Sequence, residues 1–562
     1  MARRAHAYPQ AAPVAADLVD GALVSAPPAL AATDAARLAR RRNAEVLAAG
    51  GGRWVLRADA ARADALGLGA LPIARLARPL PVVAARESEI AVRRHLAGGA
   101  PAVIVVRGRA PLGVVRRAPP AVSISMQAHL ERTLAADGRA LLGLVGRLAA
   151  AHGGRAFAVG GLVRDAWLGR EGTQHDLDVV VEGDAGRVAR ALADASGGRL
   201  VEHERFLTAS VTLPGGRGVD LATARSERYE EPGALPRVMP APIAQDLRRR
   251  DFAANAMAVE LASGTFGLLD PLGGAVDVAL RRLRVLHPLS FVEDPTRIFR
   301  AARYAARLGF ALDAWSVRCR ALALERAPYA ALSATRIVAE LERTLAEATA
   351  GGALVSLARA GAFRLLTPRH RTGRAMLGWL QALPATLAWA RAHALPAPAL
   401  EVLAVALTAD QADEVATATL QGLGLRGAPL GRVQDARASL PGLRERLARA
   451  RRLSEAARAL REASPTTLVW LHLGADAAAR TQLEGLVAAG SAGRPVLGGE
   501  AVLGLGVTRG PDVAAVLGAL RDARLDGEIR DRADEIDYVR AWLQNRTPDR
   551  RGPAPRSAPE EG

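Results

Sequence analysis

The chain has 562 residues, too many for one hydrophobic core, and the length suggests three or four domains. Its 75 basic residues, all arginine, outnumber 57 acidic ones for a net charge of +18. That balance suits a polyanionic partner such as RNA, although a genomic bias against lysine explains the arginine content equally well. A single cysteine, Cys319, excludes an internal disulfide and a cysteine-based zinc site. No apolar run reaches the ~18 residues of a membrane span, and the composition reads as a soluble cytoplasmic protein.

Residues 1–21 are expected to be a flexible N-terminus, because Pro13, Asp17 and Asp20 interrupt any apolar core. From 22 to 120, short apolar runs such as Val103–Val106 and Gly113–Val115 alternate with Ala/Arg-rich helical stretches. Pro28–Asp34 (PALAATD) is echoed by Pro81–Glu87 (PVVAARE), each followed by a helix-like segment and an apolar strand. This repeat resembles a degenerate pair of CBS (cystathionine-β-synthase) modules and predicts an N-terminal α/β CBS-like unit. The usual module carries a Gly-x-x-Thr-x-x-Asp stretch that holds the ribose of an adenosine nucleotide. The first copy, Arg53–Asp59, keeps the acid but lacks the threonine, and the second, Gly113–Pro119, lacks both. The resemblance therefore implies a scaffold or a homodimer contact rather than a nucleotide sensor.

A helical linker is predicted over 121–153, and strands over Arg155–Val159, Leu177–Val181 and Val211–Leu213. The strand ending Ala158-Val159 runs into Gly160-Gly161-Leu162-Val163-Arg164-Asp165 and then a helical pattern. A double glycine after a strand lets backbone amides approach a phosphate closely, and Arg164 adds a charged fork. His175-Asp176-Leu177-Asp178 follows, and in a strand Asp176 and Asp178 present their carboxylates on one side. Like charges so placed favour a cation between them, and hard oxygen ligands suit Mg²⁺. Asp220, in the strand-like Gly218-Val219-Asp220-Leu221, supplies a third carboxylate. Such a set suits metal-assisted phosphoryl transfer, with Asp176 and Asp178 as metal ligands and Asp220 orienting or deprotonating a hydroxyl.

At this point the chain resembles the bacterial CCA-adding/poly(A) polymerase family of class II tRNA nucleotidyltransferases. The resemblance is carried by Gly160-Gly161-x-Val163-Arg164-Asp165, Asp176-x-Asp178, Asp246-Leu247-x-Arg249-Arg250-Asp251-Phe252-x-x-Asn255 and Glu293-Asp294-Pro295-Thr296-Arg297-x-x-Arg300-x-x-Arg303. It implies a polymerase-β-like α/β head at 154–285, a helical neck at 286–350, and a helical, RNA-binding body and tail at 351–544. A disordered tail is expected at 545–562. It also implies nucleotide contacts at Gly160, Gly161, Arg164, Asp165, Arg250, Asp251, Asn255, Asp294, Arg297, Arg300 and Arg303. One departure is Ala253, where the family carries Thr or Ser; the change removes a hydroxyl but no charge.

Ser290-x-x-Glu293 reads as a capping box opening a helix on which Asp294 and Arg297 share a face. An Asp acceptor beside an Arg donor suits the amino group and ring nitrogen of C or A, and on U or G those edges are reversed. The implied activity is addition of C and/or A residues to the tRNA 3′ end from CTP and ATP without a nucleic-acid template. A poly(A) polymerase, a CC-only enzyme and an A-only enzyme are the alternatives, and a non-catalytic RNA-binding protein is a distant one. The Pro/Gly-rich stretch 224–243 is the segment expected to influence base choice. Arg336 and Glu340 are expected to shape the pocket wall, and the turn at 503–511 either contacts phosphates or simply starts a helix.

Overall fold

The computed structural model describes residues 13–116, 124–170, 177–261 and 266–546. The chain divides into two compact units, residues 1–349 with 356–368, and residues 350–355 with 369–562. Among the described residues no helix is long and apolar enough to cross a membrane.

The first unit begins with a duplicated β-α-β-β arrangement. In the first copy β1 (Ala22–Ser25), α1 (Ala32–Arg41), β2 (Ala44–Ala48) and β3 (Trp54–Leu56) are followed by α2 (Arg57–Ala65). The second copy is β4 (Val82–Ala84), α3 (Glu89–Ala97), β5 (Ala102–Arg107) and β6 (Ala110–Arg116). In each copy the first pair of strands is parallel and the second antiparallel. Neither small sheet buries its apolar face alone, and one shared core takes Val46 and Trp54 from the first copy with Leu80, Ile104 and Val114 from the second. Residues 13–21 depart from the flexible N-terminus expected there. Ala15 is fully buried against Val83, Val92 and Val103, and its N–H donates to Glu87 O at 2.7 Å.

The next elements are β7 (Ile124–Ser125), α4 (Gln127–Thr133) and α5 (Ala136–Ala151). Of the segment 121–153, expected to be a linker, the described residues from 124 on pack with the head. β7 pairs with the last strand of the head sheet, and α5 packs on β8 (Arg155–Val159). Gly146 makes that packing close: a Cβ there would lie 2.5 Å from Leu261 O. The head continues with α6 (Gly161–Trp167), β9 (Leu177–Glu182), α7 (Ala185–Ser196), β10 (Arg199–His203), β11 (Thr208–Thr212) and β12 (Gly218–Thr223). A hairpin of β13 (Arg225–Arg228) and β14 (Arg237–Pro240) precedes α8 (Ile243–Arg248), β15 (Ala258–Glu260) and β16 (Gly267–Leu269).

The head sheet runs β10-β11-β12-β9-β8-β15-β16-β7. Its one face packs Phe157, Val159, Val180, Ile243 and Leu247 into a core. The pair β9/β12 is parallel, so residues in register share a face. After the sheet come α9 (Gly274–Ala279), the single turn α10 (Ser290–Glu293), and the neck helices α11 (Thr296–Leu308), α12 (Ala314–Glu325) and α13 (Ala334–Leu345).

The second unit is helical throughout its described residues. Trp379 meets Trp470 edge-on at 4.7 Å, and Trp389 stacks on His472 at 3.9 Å. A separate cluster of Val502, Val507, Val516, Leu520 and Val539 closes its C-terminal part. The glycine-proline turn lies where the sequence placed it: Gly510 (φ 126°) precedes Pro511, the first residue of helix Pro511–Leu525.

Candidate active site

A cavity of about 590 Å³ opens between the head sheet and the neck helices. It is lined by Gly160, Gly161, Asp178, Arg250, Asp251, Asn255, Asp294, Arg297 and Arg300, residues drawn from four separate stretches of sequence. Arg164, Asp165, Arg303 and Asp220 do not line it, and Asp176 lies outside the described residues.

The floor is the turn after β8. Gly160 has φ 72° and ψ −129°, a left-sided conformation that strains any residue with a Cβ. A Cβ there would lie 3.6 Å from Arg250 Nη1 and 3.8 Å from Asp178 Oδ2, which locates the turn between a cation and an acid of the site. Arg164 was expected to offer a phosphate-binding fork. It lies instead beneath the turn, 1% exposed, with Nε and Nη2 on Asp165 at 2.9 and 3.1 Å and Nη1 on Asn255 Oδ1 at 2.5 Å. Nε, Nη1 and Nη2 of this guanidinium each meet an acceptor, the condition on which a buried charge is tolerated. Arg164 and Asp165 thus pin the turn to the Asp251–Asn255 segment.

Beside the turn, Asp178 on β9 and Asp220 on β12 are register partners on adjacent parallel strands, both exposed. Strands so paired lie about 4.8 Å apart, so the two carboxylates stand side by side. Ser210 Oγ donates to Asp220 at 2.5 Å, and among the described residues no arginine pairs with Asp220. The donor set, hard oxygens close together in a solvent-open position, fits a hard divalent cation. Among the described residues no group of three or more His, Cys, Asp or Glu gathers as a metal cluster, and Asp176, the remaining acid of the motif, lies outside them.

The opposite wall is a web of arginines and carboxylates. Asp246, fully buried, accepts from Arg249 at 2.7 Å and Arg250 at 3.0 Å. Burial works against its ionisation, but Arg250 and Arg249 outweigh that and hold the carboxyl below the usual range. Asp251 accepts from Asn255 at 3.0 Å and from Arg300 at 2.8 Å; burial is again overcome, here chiefly by Arg300. Arg300 also donates to Tyr304 at 3.0 Å, and burial notwithstanding, Asp251 and its acidic neighbours keep that guanidinium firmly protonated. Arg303 does not line the cavity itself but pairs at 3.3 Å with Glu340, which does.

The segment 290–297 differs from the capping box read in the sequence. Ser290 caps nothing; its Oγ accepts from Arg297 Nη1 at 2.7 Å. Glu293 points into a buried pair with Arg62 and His287. Asp294 lies outside both helices, between α10 and α11. The cause is Pro295, which restricts the preceding residue to extended backbone; Asp294 has φ −134° and ψ 94°. Its Oδ1 accepts from Thr296 N–H, Thr296 Oγ1 and Arg336 Nη2, the last at 2.8 Å, and Oδ2 has no partner among the described residues. Arg297 has Nη1 on Ser290 and Nη2 on Arg249 O at 2.8 Å, so both terminal nitrogens are engaged. Asp294 and Arg297 still meet at the cavity, although not as neighbours on one helical face.

Tyr229 and Leu235, from the stretch 224–243 expected to influence base choice, also line the cavity, with Arg249 and with Tyr304, which was not singled out from the sequence. Arg249 stands in the recognised Arg-Arg-Asp motif and was the readable signal. Tyr304 was not readable, because its relevance comes from three surrounding guanidinium groups, those of Arg164, Arg300 and Arg303 at 5.5, 5.4 and 4.9 Å.

Residues 156–284 match the family model described as the poly A polymerase head domain. That match is confined to the head. Over 397 residues the chain is 34% identical to an A-adding tRNA nucleotidyltransferase of Geobacter sulfurreducens, covering 68% of this chain and 44% of that protein. Over 151 residues it is 52% identical to a CC-adding tRNA nucleotidyltransferase of Deinococcus radiodurans, covering 27% of this chain and 40% of that one. The chain spans half or less of the length of these and the other first curated relatives. Among solved structures, a Thermotoga maritima CCA-adding enzyme complexed with tRNA aligns with TM-score 0.62 and 27% identity, over 75% of this chain and 99% of that one. An apo CCA-adding enzyme aligns with TM-score 0.65 and 28% identity, over 75% and 99%. The nucleotidyltransferase head and the helical C-terminal portion both fall within these alignments.

Proposed function

We propose that this protein is a tRNA nucleotidyltransferase that adds C and/or A to the tRNA 3′ terminus from CTP and ATP without a nucleic-acid template. The observation that carries the reading is the single cavity into which the glycine turn, Asp178, the Arg-Arg-Asp motif and Asp294 converge. The names of the relatives and the tRNA complex of a structural neighbour support the same substrates.

In the reaction the RNA 3′-hydroxyl oxygen bonds to the α-phosphorus of the incoming nucleotide. The bond from that phosphorus to the β-phosphate oxygen breaks, and pyrophosphate leaves. Asp178 and Asp176 would hold Mg²⁺, which supplies charge neutralisation at the triphosphate and the attacking oxygen. Asp220, beside Asp178, orients the 3′-hydroxyl and accepts its proton. The Gly160-Gly161 turn and Arg250 receive the triphosphate, and Asp251, held by Arg300, keeps that wall in place. Asp294 offers Oδ2 to the exocyclic amino group of C or A, and the carbonyl of U or G would face it unpaired. Arg297, immobilised by Ser290 and Arg249, sets the other side of the base.

The duplicated β-α-β-β unit supports reading residues 22–116 as a CBS-like pair. Asp59, the one acid of the ribose motif, is 3% exposed and paired with Arg78 at 2.7 Å, which favours a scaffold over a nucleotide sensor. An A-only enzyme is the second reading, favoured by the extent of the match to the A-adding relative. The test is incubation with Mg²⁺ and three tRNA transcripts, ending before CCA, after C and after CC, each with CTP, ATP or both. Ordered growth to CCA establishes the full activity. Growth only from CC to CCA establishes the A-only enzyme, and growth only to CC the CC-only enzyme. A long A-tail on any RNA identifies a poly(A) polymerase, and no incorporation refutes the enzyme.

A further inference from the structure

One contact reaches from the N-terminal unit to the wall of the nucleotide pocket. Arg62, on α2, donates from Nη1 to Glu293 Oε1 at 2.6 Å, and His287 Nε2 lies 3.2 Å from Glu293 Oε2. The Glu293 side chain is 4% exposed, whereas that of Arg62 is 38% exposed, so a partly solvated arginine covers a buried acid. Glu293 precedes Asp294 directly. Its carbonyl accepts from Gly233 N–H at 3.2 Å, Gly233 O accepts from Arg336 at 2.5 Å, and Arg336 donates to Asp294 at 2.8 Å. This closed ring ties the hairpin that supplies Tyr229, Leu235 and Pro236 to the acid that faces the base.

We propose that Arg62 is a positioning residue for nucleotide selection: by neutralising buried Glu293 it fixes the backbone that aims Asp294 and the 229–236 hairpin into the pocket. The inference rests on the pocket being the nucleotide site. Without Arg62 the buried carboxylate keeps its His287 contact on Oε2 but loses the partner on Oε1, and it takes up a proton or turns toward water. Either response releases the Glu293 backbone, and with it the ring through Gly233 and Arg336. Arg62 is not needed merely to attach the N-terminal unit. Arg75 pairs with Glu325, Arg78 stands 4.2 Å over the Trp315 ring, and Arg284 donates to Gly99 O at 3.2 Å. The accessory unit is thereby docked at other points, and Arg62 alone among these contacts reaches the residue next to Asp294.

The experiment uses the full chain as wild type, Arg62→Ala, Arg62→Lys and Arg75→Ala. Equilibrium binding of ATP, CTP, GTP and UTP is measured for each, together with kcat and KM for incorporation into tRNA transcripts. In Arg62→Ala, KM and Kd for the accepted nucleotides should rise about fivefold to tenfold, in line with residues that act through others. Preference over the rejected nucleotides should narrow by a similar factor, with kcat within about twofold. Arg62→Lys should restore most of the preference, and Arg75→Ala should leave it unchanged. Unchanged preference in Arg62→Ala overturns the proposal, as does an equal loss in Arg75→Ala, which would reveal general docking. Should Arg62→Ala lose its cooperative thermal transition, Arg62→Gln, which keeps a donor without the charge, carries the same comparison. A wild type that neither binds nor incorporates any nucleotide refutes the pocket reading itself, a failure visible without any variant.

Discussion

Two pairs of aspartates at and beside the pocket, Asp178 with Asp220 and Asp246 with Asp251, stand in opposite surroundings. On β9 and β12, Asp178 and Asp220 stand side by side and exposed, and Asp220 accepts from the Ser210 hydroxyl. Asp246 and Asp251 are buried and each is held by arginines. A buried carboxylate held by guanidinium groups acts as framework, whereas adjacent exposed carboxylates stay open to solvent, where a cation and a reacting hydroxyl reach them. The neighbours, not the residue type, divide chemistry from architecture.

The sharpest way to break this contrast is at the exposed pair. Asp178→Ala should lower kcat for nucleotide incorporation by about a thousandfold or more, since several kcal/mol of charge stabilisation are lost. Its melting temperature should stay at the wild-type value, because relief of like-charge repulsion offsets any lost contact. Retained turnover would move Asp178 out of the reaction.

The framework pair predicts the reverse pattern. Asp246→Ala leaves Arg249 and Arg250 without their shared acceptor and should destabilise the fold by about 3–5 kcal/mol in urea unfolding. Because the folded carboxyl is held below its ordinary 3.8, its stabilisation is complete above that value and fades as pH falls through the lowered one. Wild-type stability should therefore decline below about pH 4, and the variant should show a flatter acid limb. A loss below about 1 kcal/mol would show that the web is surface-like after all.

Between these two conditions lies Asp294, part exposed and part paired. Asp294→Asn keeps the shape but replaces one acceptor with a donor. Discrimination of C and A against U and G should fall by about tenfold to a hundredfold in single-nucleotide incorporation assays, the scale of one base contact. Unchanged discrimination would assign base choice elsewhere in the cavity. The smallest effect belongs to the floor. Gly160→Ala meets no atom closer than 3.6 Å, so only the backbone strain at φ 72° and ψ −129° remains, about 1–3 kcal/mol of stability by thermal unfolding. A larger loss, or a KM shift beyond that strain, would mean that the turn approaches its ligand more tightly than the open space suggests.

Much of this was legible in the sequence because the signals were local. A glycine pair after an apolar strand, Asp-x-Asp, and the Arg-Arg-Asp run each state their geometry within a few residues, and the pocket gathers the glycine pair, Asp178 and the Arg-Arg-Asp run. The β-α-β-β duplication was legible for the same reason, as an echoed segment followed each time by a helix and an apolar strand. What the sequence could not settle were the pairings between distant segments. Arg164 looks like a phosphate fork until Asn255 is seen to claim it, 91 positions away. Glu293 looks like a cap until Arg62 arrives from 231 positions upstream. Residues 121–153 look like a linker until β7 joins the sheet and Gly146 seats α5 against Leu261. The sequence by itself determined which side chains could carry charge, bind a cation or turn a backbone, because those are properties of single residues and short spacings. Only the tertiary structure decided which charges meet their opposites, because ion pairing and burial depend on distances that the chain sets after it has folded.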